Sequence, residues 1–98
     1  MEIRIQSVKF DADMKLLVYI EKKVSKLSKY FDGIESVEVF LSLLPDHENK
    51  HVKIRLAVPG EDLIVDRHSI TFEKATTECV KVLKEQIKKA KAKRFEKN

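Results

Sequence analysis

The sequence predicts a two-layer α+β domain of order β-α-β-β-β-α, a four-stranded mixed sheet with two helices packed on one face. Three observations predict it. Two segments repeat apolar residues every three or four positions and read as helices, while four shorter segments alternate apolar and polar residues and read as strands. Every one of these segments has a single apolar face, so both helices must cover the same side of the sheet. At 98 residues, 43% of them hydrophobic and 37% charged, the chain suits one soluble domain with one core.

The first strand is short: Ile3 and Ile5 alternate with Glu2, Arg4 and Gln6. Asp13 is the expected N-cap of the first helix, whose stripe runs Leu17, Ile20, Val24, Leu27, Phe31, with Asp32-Gly33 as a stop where glycine supplies positive φ. The second strand spans Ser36 to Leu43, with Val37, Val39, Leu41 and Leu43 on its buried face. After the polar loop from Pro45 to Lys50, the third strand sets Val52, Ile54, Leu56 and Val58 inward and His51, Lys53 and Arg55 outward.

Pro59-Gly60 then makes a two-residue turn. That turn fixes the hairpin register: Leu56 faces Leu63 and Ile54 faces Val65 on the buried side, while Lys53 faces Asp66 in water. The first helix is long enough to cross over between parallel strands, and the last three strands form an antiparallel meander. From Thr71 to Asn98 one amphipathic helix buries Phe72, Ala75, Cys79, Leu83, Ile87 and Ala90.

Charge is distributed very unevenly. The formal net charge is +4, yet residues 81–98 hold eight basic side chains against Glu85 and Glu96, and the remaining eighty residues are slightly acidic. Lys81, Lys84, Lys88, Lys89, Lys91, Lys93 and Arg94 lie off the apolar stripe of the final helix. On the first helix Lys15, Lys22, Lys26 and Lys29 form a second ridge, with Lys23 on its flank. Two neighbouring lysine ridges suit phosphates, because each neutralised phosphate releases condensed counterions. Lysine is a point charge, so such a surface reads backbone and shape, not base sequence. Tyr19, Tyr30, Phe31 and Phe72 fall on or beside stripes and read as packing. Phe40 alone is expected on the open sheet face, too few rings for single-strand stacking.

Other function classes fit poorly. A phosphate-cradling hydrolase loop needs glycines and a positioned amide, but both glycines serve as helix stop and turn, and the asparagines are Asn49 and Asn98. No enzyme activity, cofactor or small-molecule substrate is expected. His47, Asp46, Glu48, His51 and His68 gather at one hairpin end, where a polar loop is a commoner reading than zinc. Cys79 reads as a core thiol. No run approaches the ~20 apolar residues of a membrane span, and Met1-Glu2-Ile3-Arg4 lacks the pattern of a secretory signal, so the cytoplasm is the expected location, without membrane contact.

In this topology and in its lysine ridges, the chain resembles the short-type ribosome hibernation-promoting factors of the ribosome-associated inhibitor, or sigma-54 modulation protein, family. Lys26-Leu27-Ser28-Lys29-Tyr30-Phe31-Asp32 is similar to the family's lysine-leucine-x-x-tyrosine-phenylalanine-aspartate run, and Lys89, Lys91 and Lys93 to its basic terminus. The resemblance implies a fold like that of double-stranded-RNA-binding domains. It implies a ribosome-binding domain over residues 1–98, without the C-terminal dimerisation domain of long-type relatives.

It also implies binding to the small ribosomal subunit and its rRNA near the decoding region, blocking mRNA and tRNA and silencing translation in starved or stationary-phase bacteria. Lys23, Lys26, Lys89, Lys91 and Lys93 would be rRNA contacts. The full expected RNA-binding set is Lys22, Lys23, Lys26, Lys29, Lys81, Lys84, Lys88, Lys89, Lys91, Lys93 and Arg94, on a protein that is a monomer when free. Thr71, Glu73 and Thr77 stand where the family usually carries aspartate, tyrosine and aspartate, and Glu85 where a basic residue is common. The alternatives on the same fold are a generic structured-RNA-binding protein and a module for an acidic protein.

Overall fold

In the computed structural model the backbone is described for residues 1–96 and side chains for residues 1–92. Strand β1 (Glu2–Ser7) lies parallel to β2 (Ser36–Leu43), which is antiparallel to β3 (Lys50–Val58), itself antiparallel to β4 (Glu61–Ser69). The sheet order is β1-β2-β3-β4. Helix α1 (Met14–Ser25) makes the crossover between the parallel pair, and helix α2 (Phe72–Glu96) follows the meander. The expected order and the expected single covered face both hold.

The hairpin register is the expected one, with Leu56 opposite Leu63, Ile54 opposite Val65 and Lys53 opposite Asp66. Gly60 makes it possible with φ of 87°, the value a type II turn requires at its second central residue. Strands supply Val37, Val39, Leu41, Val52, Ile54, Leu56, Val58 and Val65 to the core; α1 adds Leu16, Ile20 and Val24, and α2 adds Phe72, Ala75, Cys79, Leu83 and Ile87. Each large side chain so buried contributes about 1.5–3 kcal/mol, which is why these periodicities, and not the charged residues, decide the fold. Phe10, in the loop before α1, stacks on Phe72 with ring centroids 5.3 Å apart and closes one end of the core.

Several expectations change. Asp13 does cap α1, its carboxylate accepting from the Leu16 amide at 2.8 Å, but the buried stripe starts at Leu16 and leaves Leu17 half-buried. The α-helix does not run on to Phe31; it tightens at residue 26 into a 3-10 turn, Lys26–Lys29, that still buries Leu27. Ser25 and Ser28 donate to the carbonyls of Lys22 and Ser25 at 2.9 Å, three residues back, competing with the helical ladder where it tightens.

Gly33 is not a positive-φ cap either, since among the described residues Gly60 is the only glycine with positive φ. Its use is steric: a Cβ there would lie 2.6 Å from Cζ of Phe31. Leu43, expected inward, is 48% exposed at the last position of its strand.

Candidate nucleic-acid interface

Helices α1 and α2 run side by side in the same sense, because contacts join their early turns and their late turns separately. At one end the Tyr19 hydroxyl meets Thr77 Oγ1 at 3.2 Å. Thr77 gives its own hydrogen to the Glu73 carbonyl at 3.0 Å, so Tyr19 is the donor of the pair. At the other end Lys84 Nζ stands 4.9 Å from the centroid of the Tyr30 ring, and Lys91 Nζ donates to the Tyr30 carbonyl at 3.1 Å. Between them Lys23 Nζ lies 5.6 Å from the Tyr19 ring, within cation–π range.

The outer side of this helix pair is where the expected basic residues lie. Lys22, Lys26 and Lys29 are exposed on the α1 side, and Lys81, Lys88, Lys89 and Lys91 on α2; Lys23 and Lys84 are half-buried by their tyrosines. Lys26 and Lys29 fall one 3-10 turn apart and eclipse each other, which concentrates charge at the end of α1. Lys89 and Lys91 are about 200° apart around the helix, so with Lys91 turned to α1 the lysine two places before it faces the other flank. The side chains of Lys93 and Arg94 lie outside the described residues. Among the described residues, the side chains of Lys22, Lys26, Lys29, Lys81, Lys88 and Lys89 have no hydrogen-bonding or ionic partner of their own.

The other end of the helix pair is different. Tyr19, Ser69, Glu73, Lys74, Thr77 and Glu78 line a shallow open recess with more acid than base. Thr71 caps α2 there, its hydroxyl accepting from the Lys74 amide at 3.0 Å, which is the role an aspartate at that position would fill. The positive surface is therefore the C-terminal half of the pair, not its whole length.

On the opposite side of the sheet the arginines pair with carboxylates, while Lys53 stands exposed. Arg55 donates to Asp62 through Nε at 3.0 Å and Nη2 at 2.6 Å and lies 3.9 Å from Glu38, while Arg4 donates to Glu2 at 2.7 Å. Phe40 is half-buried between Gln6 and Lys53 in register, the single ring expected there.

His51 and His68 each turn to a carboxylate. A carboxylate only accepts, so His51 Nε2 donates to Asp66 at 3.0 Å, and in the neutral ring Nδ1 accepts from the Ser42 hydroxyl at 3.1 Å. His68 pairs with Glu48 at 3.8 Å, and no group of three or more candidate metal ligands stands together among the described residues. Cys79 donates its S–H to the Val52 carbonyl at 3.5 Å, and burial pushes its thiol up to about 12, a setting for packing and not for reactivity. No helix among the described residues is long and apolar enough to cross a membrane.

The tyrosines' part in this surface is not visible in the sequence pattern, which assigns both to packing. Each is half-buried and also seats a lysine. The available signal is position: each immediately precedes a stripe residue, Ile20 or Phe31, beside the apolar stripe and not within it.

Known proteins share the fold and the sequence family. A model of the family described as Sigma 54 modulation protein / S30EA ribosomal protein matches residues 3–94. The ribosome hibernation promoting factor of Azotobacter vinelandii is 26% identical over 96 residues, 98% of this chain and 88% of that one. Among solved structures, a ribosomal subunit interface protein from Coxiella burnetii superposes with a TM-score of 0.84 at 22% identity, over 94% of this chain and 99% of that one. The N-terminal domain of Protein Y from Thermus thermophilus gives 0.79 at 26% identity, over 91% and 98%.

Proposed function

Because the chain belongs to the Sigma 54 modulation protein / S30EA ribosomal protein family, we propose that it is a ribosome hibernation factor. It binds the small ribosomal subunit through rRNA, occupies the decoding region and keeps mRNA and tRNA out. The protein does this without catalysis, as an electrostatic and steric plug in the cytoplasm of idle cells.

The observation that carries the reading is the contrast between the two faces. On the sheet's open face both arginines are held in Arg55–Asp62 and Arg4–Glu2 pairs and Lys53 stands singly, whereas Lys22, Lys26, Lys29, Lys81 and Lys88 stand together, exposed on the helix pair without side-chain partners of their own among the described residues. Unpaired cations on one rigid surface are available to phosphates; paired ones must first be released. An ammonium donates three hydrogen bonds with little directional demand, so this surface recognises the spacing of a folded RNA backbone.

Co-sedimentation with purified small subunits, at low and moderate salt and with naked structured RNA as competitor, tests it. Saturable one-to-one binding that resists competitor is expected, together with loss of mRNA and tRNA from occupied subunits. Weak binding shared equally with any RNA would instead make the surface a general polyanion binder. Retention by an acidic protein after nuclease treatment would move the partner class to protein.

A further inference from the structure

We infer that Tyr30 is a positioning residue for the lysine surface, a clasp that fixes two α2 lysines against the end of α1 so that they meet phosphates already ordered. The inference rests on the proposed binding of RNA by the helix pair and adds which residue organises it.

Lys84 and Lys91 are seven residues apart on α2, so they share one helix face. Both reach the same residue of the other segment: one ammonium lies over the Tyr30 ring at 4.9 Å, the other donates to the Tyr30 carbonyl at 3.1 Å. That carbonyl belongs to the residue that caps the 3-10 turn Lys26–Lys29, its N–H donating to the Leu27 carbonyl at 3.0 Å, where the chain leaves helical geometry and carbonyls need outside donors. A lysine at the carbonyl end of a helix is also favoured by the helix dipole.

The clasp does not remove either lysine from service. Each ammonium has three hydrogens, and the ring face or the carbonyl occupies one side of it, leaving the rest for a phosphate. What it removes is rotamer freedom. A free lysine must be ordered when it binds, and ordering a long side chain in advance increases affinity by lowering that cost. Lys26 and Lys29 lie on the turn that Tyr30 ends, so the clasp also holds the lysines of α1 and α2 at a fixed spacing. Lys81 and Lys88, without such a seat among the described residues, serve as the contrast.

The test is a set of variants measured for small-subunit affinity and melting temperature. Tyr30→Phe keeps ring and carbonyl and should bind as the parent protein does. Tyr30→Leu keeps the carbonyl but not the ring and should bind about three- to tenfold more weakly. Lys84→Gln should then cost less in the Tyr30→Leu background than alone, because Lys84 acts through the ring. Parental affinity in Tyr30→Leu, or strictly additive effects in the double variant, would overturn the inference while subunit binding by the parent stood.

Absence of binding by the parent protein would overturn the functional reading first, and this inference with it. If Tyr30→Leu fails to fold, NMR of the parent protein decides the clasp. The ε-methylene protons of Lys84 should be shifted upfield by the ring current, and ordinary lysine shifts there would end the idea.

Discussion

His51 donates from Nε2 to Asp66 Oδ2 at 3.0 Å, while His68, its direct cross-strand partner, turns instead to Glu48 at 3.8 Å. Two imidazoles paired by register are thus separated by the carboxylates each selects. The hydrogen bond from His51 holds the Asp66 carboxyl below its usual range against a desolvation effect, with His51, Arg67 and Lys53 charges helping.

A carboxyl lowered by folding stabilises the fold above its unfolded pKa, about 3.9, and that contribution is lost as pH falls through the lower folded value. The parent protein should therefore exceed Asp66→Asn in stability at pH 5 and above, and the two should converge as pH drops toward about 2. Asp66 is mostly exposed, so screening keeps the difference below about 1 kcal/mol. Urea midpoints of both proteins from pH 2 to 6 check this, and a difference that stays constant over the range would contradict it.

Gly33 sits beneath the Phe31 ring, with 2.6 Å and 2.7 Å from a would-be Cβ to two ring carbons. Gly33→Ala must push the tip of the half-buried Phe31 ring aside, so it should cost about 1 kcal/mol, the low end of overpacking, seen as a lower melting temperature. Replacing the ring as well, in Phe31→Leu/Gly33→Ala, should recover part of that stability. If alanine costs the same with or without the ring, the steric account fails.

Thr76 is fully buried on α2, and its hydroxyl is without a hydrogen-bond partner among the described residues. An unpaired buried hydroxyl costs about 1–3 kcal/mol, and valine fills the same volume without it. Thr76→Val should raise stability by about 1 kcal/mol, whereas Thr76→Ser, which keeps the hydroxyl and removes the methyl, should lower it. A destabilised valine variant would mean that the hydroxyl has a partner such as a buried water.

Repeating patterns made most of the fold legible in the sequence, and features that depend on a single contact stayed hidden. Alternation in β3 and β4 plus the two-residue Pro59-Gly60 turn leaves one register, so Leu56 opposite Leu63 can be read directly. The end of α1 cannot, because the stripe from Leu16 to Leu27 continues through the 3-10 turn with no change of pattern, and only the serine back-bonds mark it. Gly33 resembles a cap since it follows a helix, but its smallness serves a ring two residues away. Lys9 carries a positive φ of 64° that nothing in its neighbours announces. At the site, the lysine positions are plain from spacing, whereas the seating of Lys84 and Lys91 on Tyr30 depends on how two helices sit together, which composition does not encode.

The two faces of the molecule should respond differently to removal of charge. Lys81 and Lys88 are seven residues apart on one face of α2, exposed and without side-chain partners of their own among the described residues, so changing them should leave the fold alone. Lys53 is equally exposed but lies on the open face of the sheet, in register with Asp66 and Phe40. If phosphates bind on the helix pair, Lys81→Gln/Lys88→Gln should weaken small-subunit binding by roughly tenfold or more at low salt. It should also flatten the slope of log K against log salt by about 0.7 to 0.9 for each phosphate no longer neutralised. Lys53→Gln should change neither, and all variants should melt as the parent does. Equal weakening from both faces would point to nonspecific attraction by net charge, because only a local phosphate interaction depends on which lysine is removed.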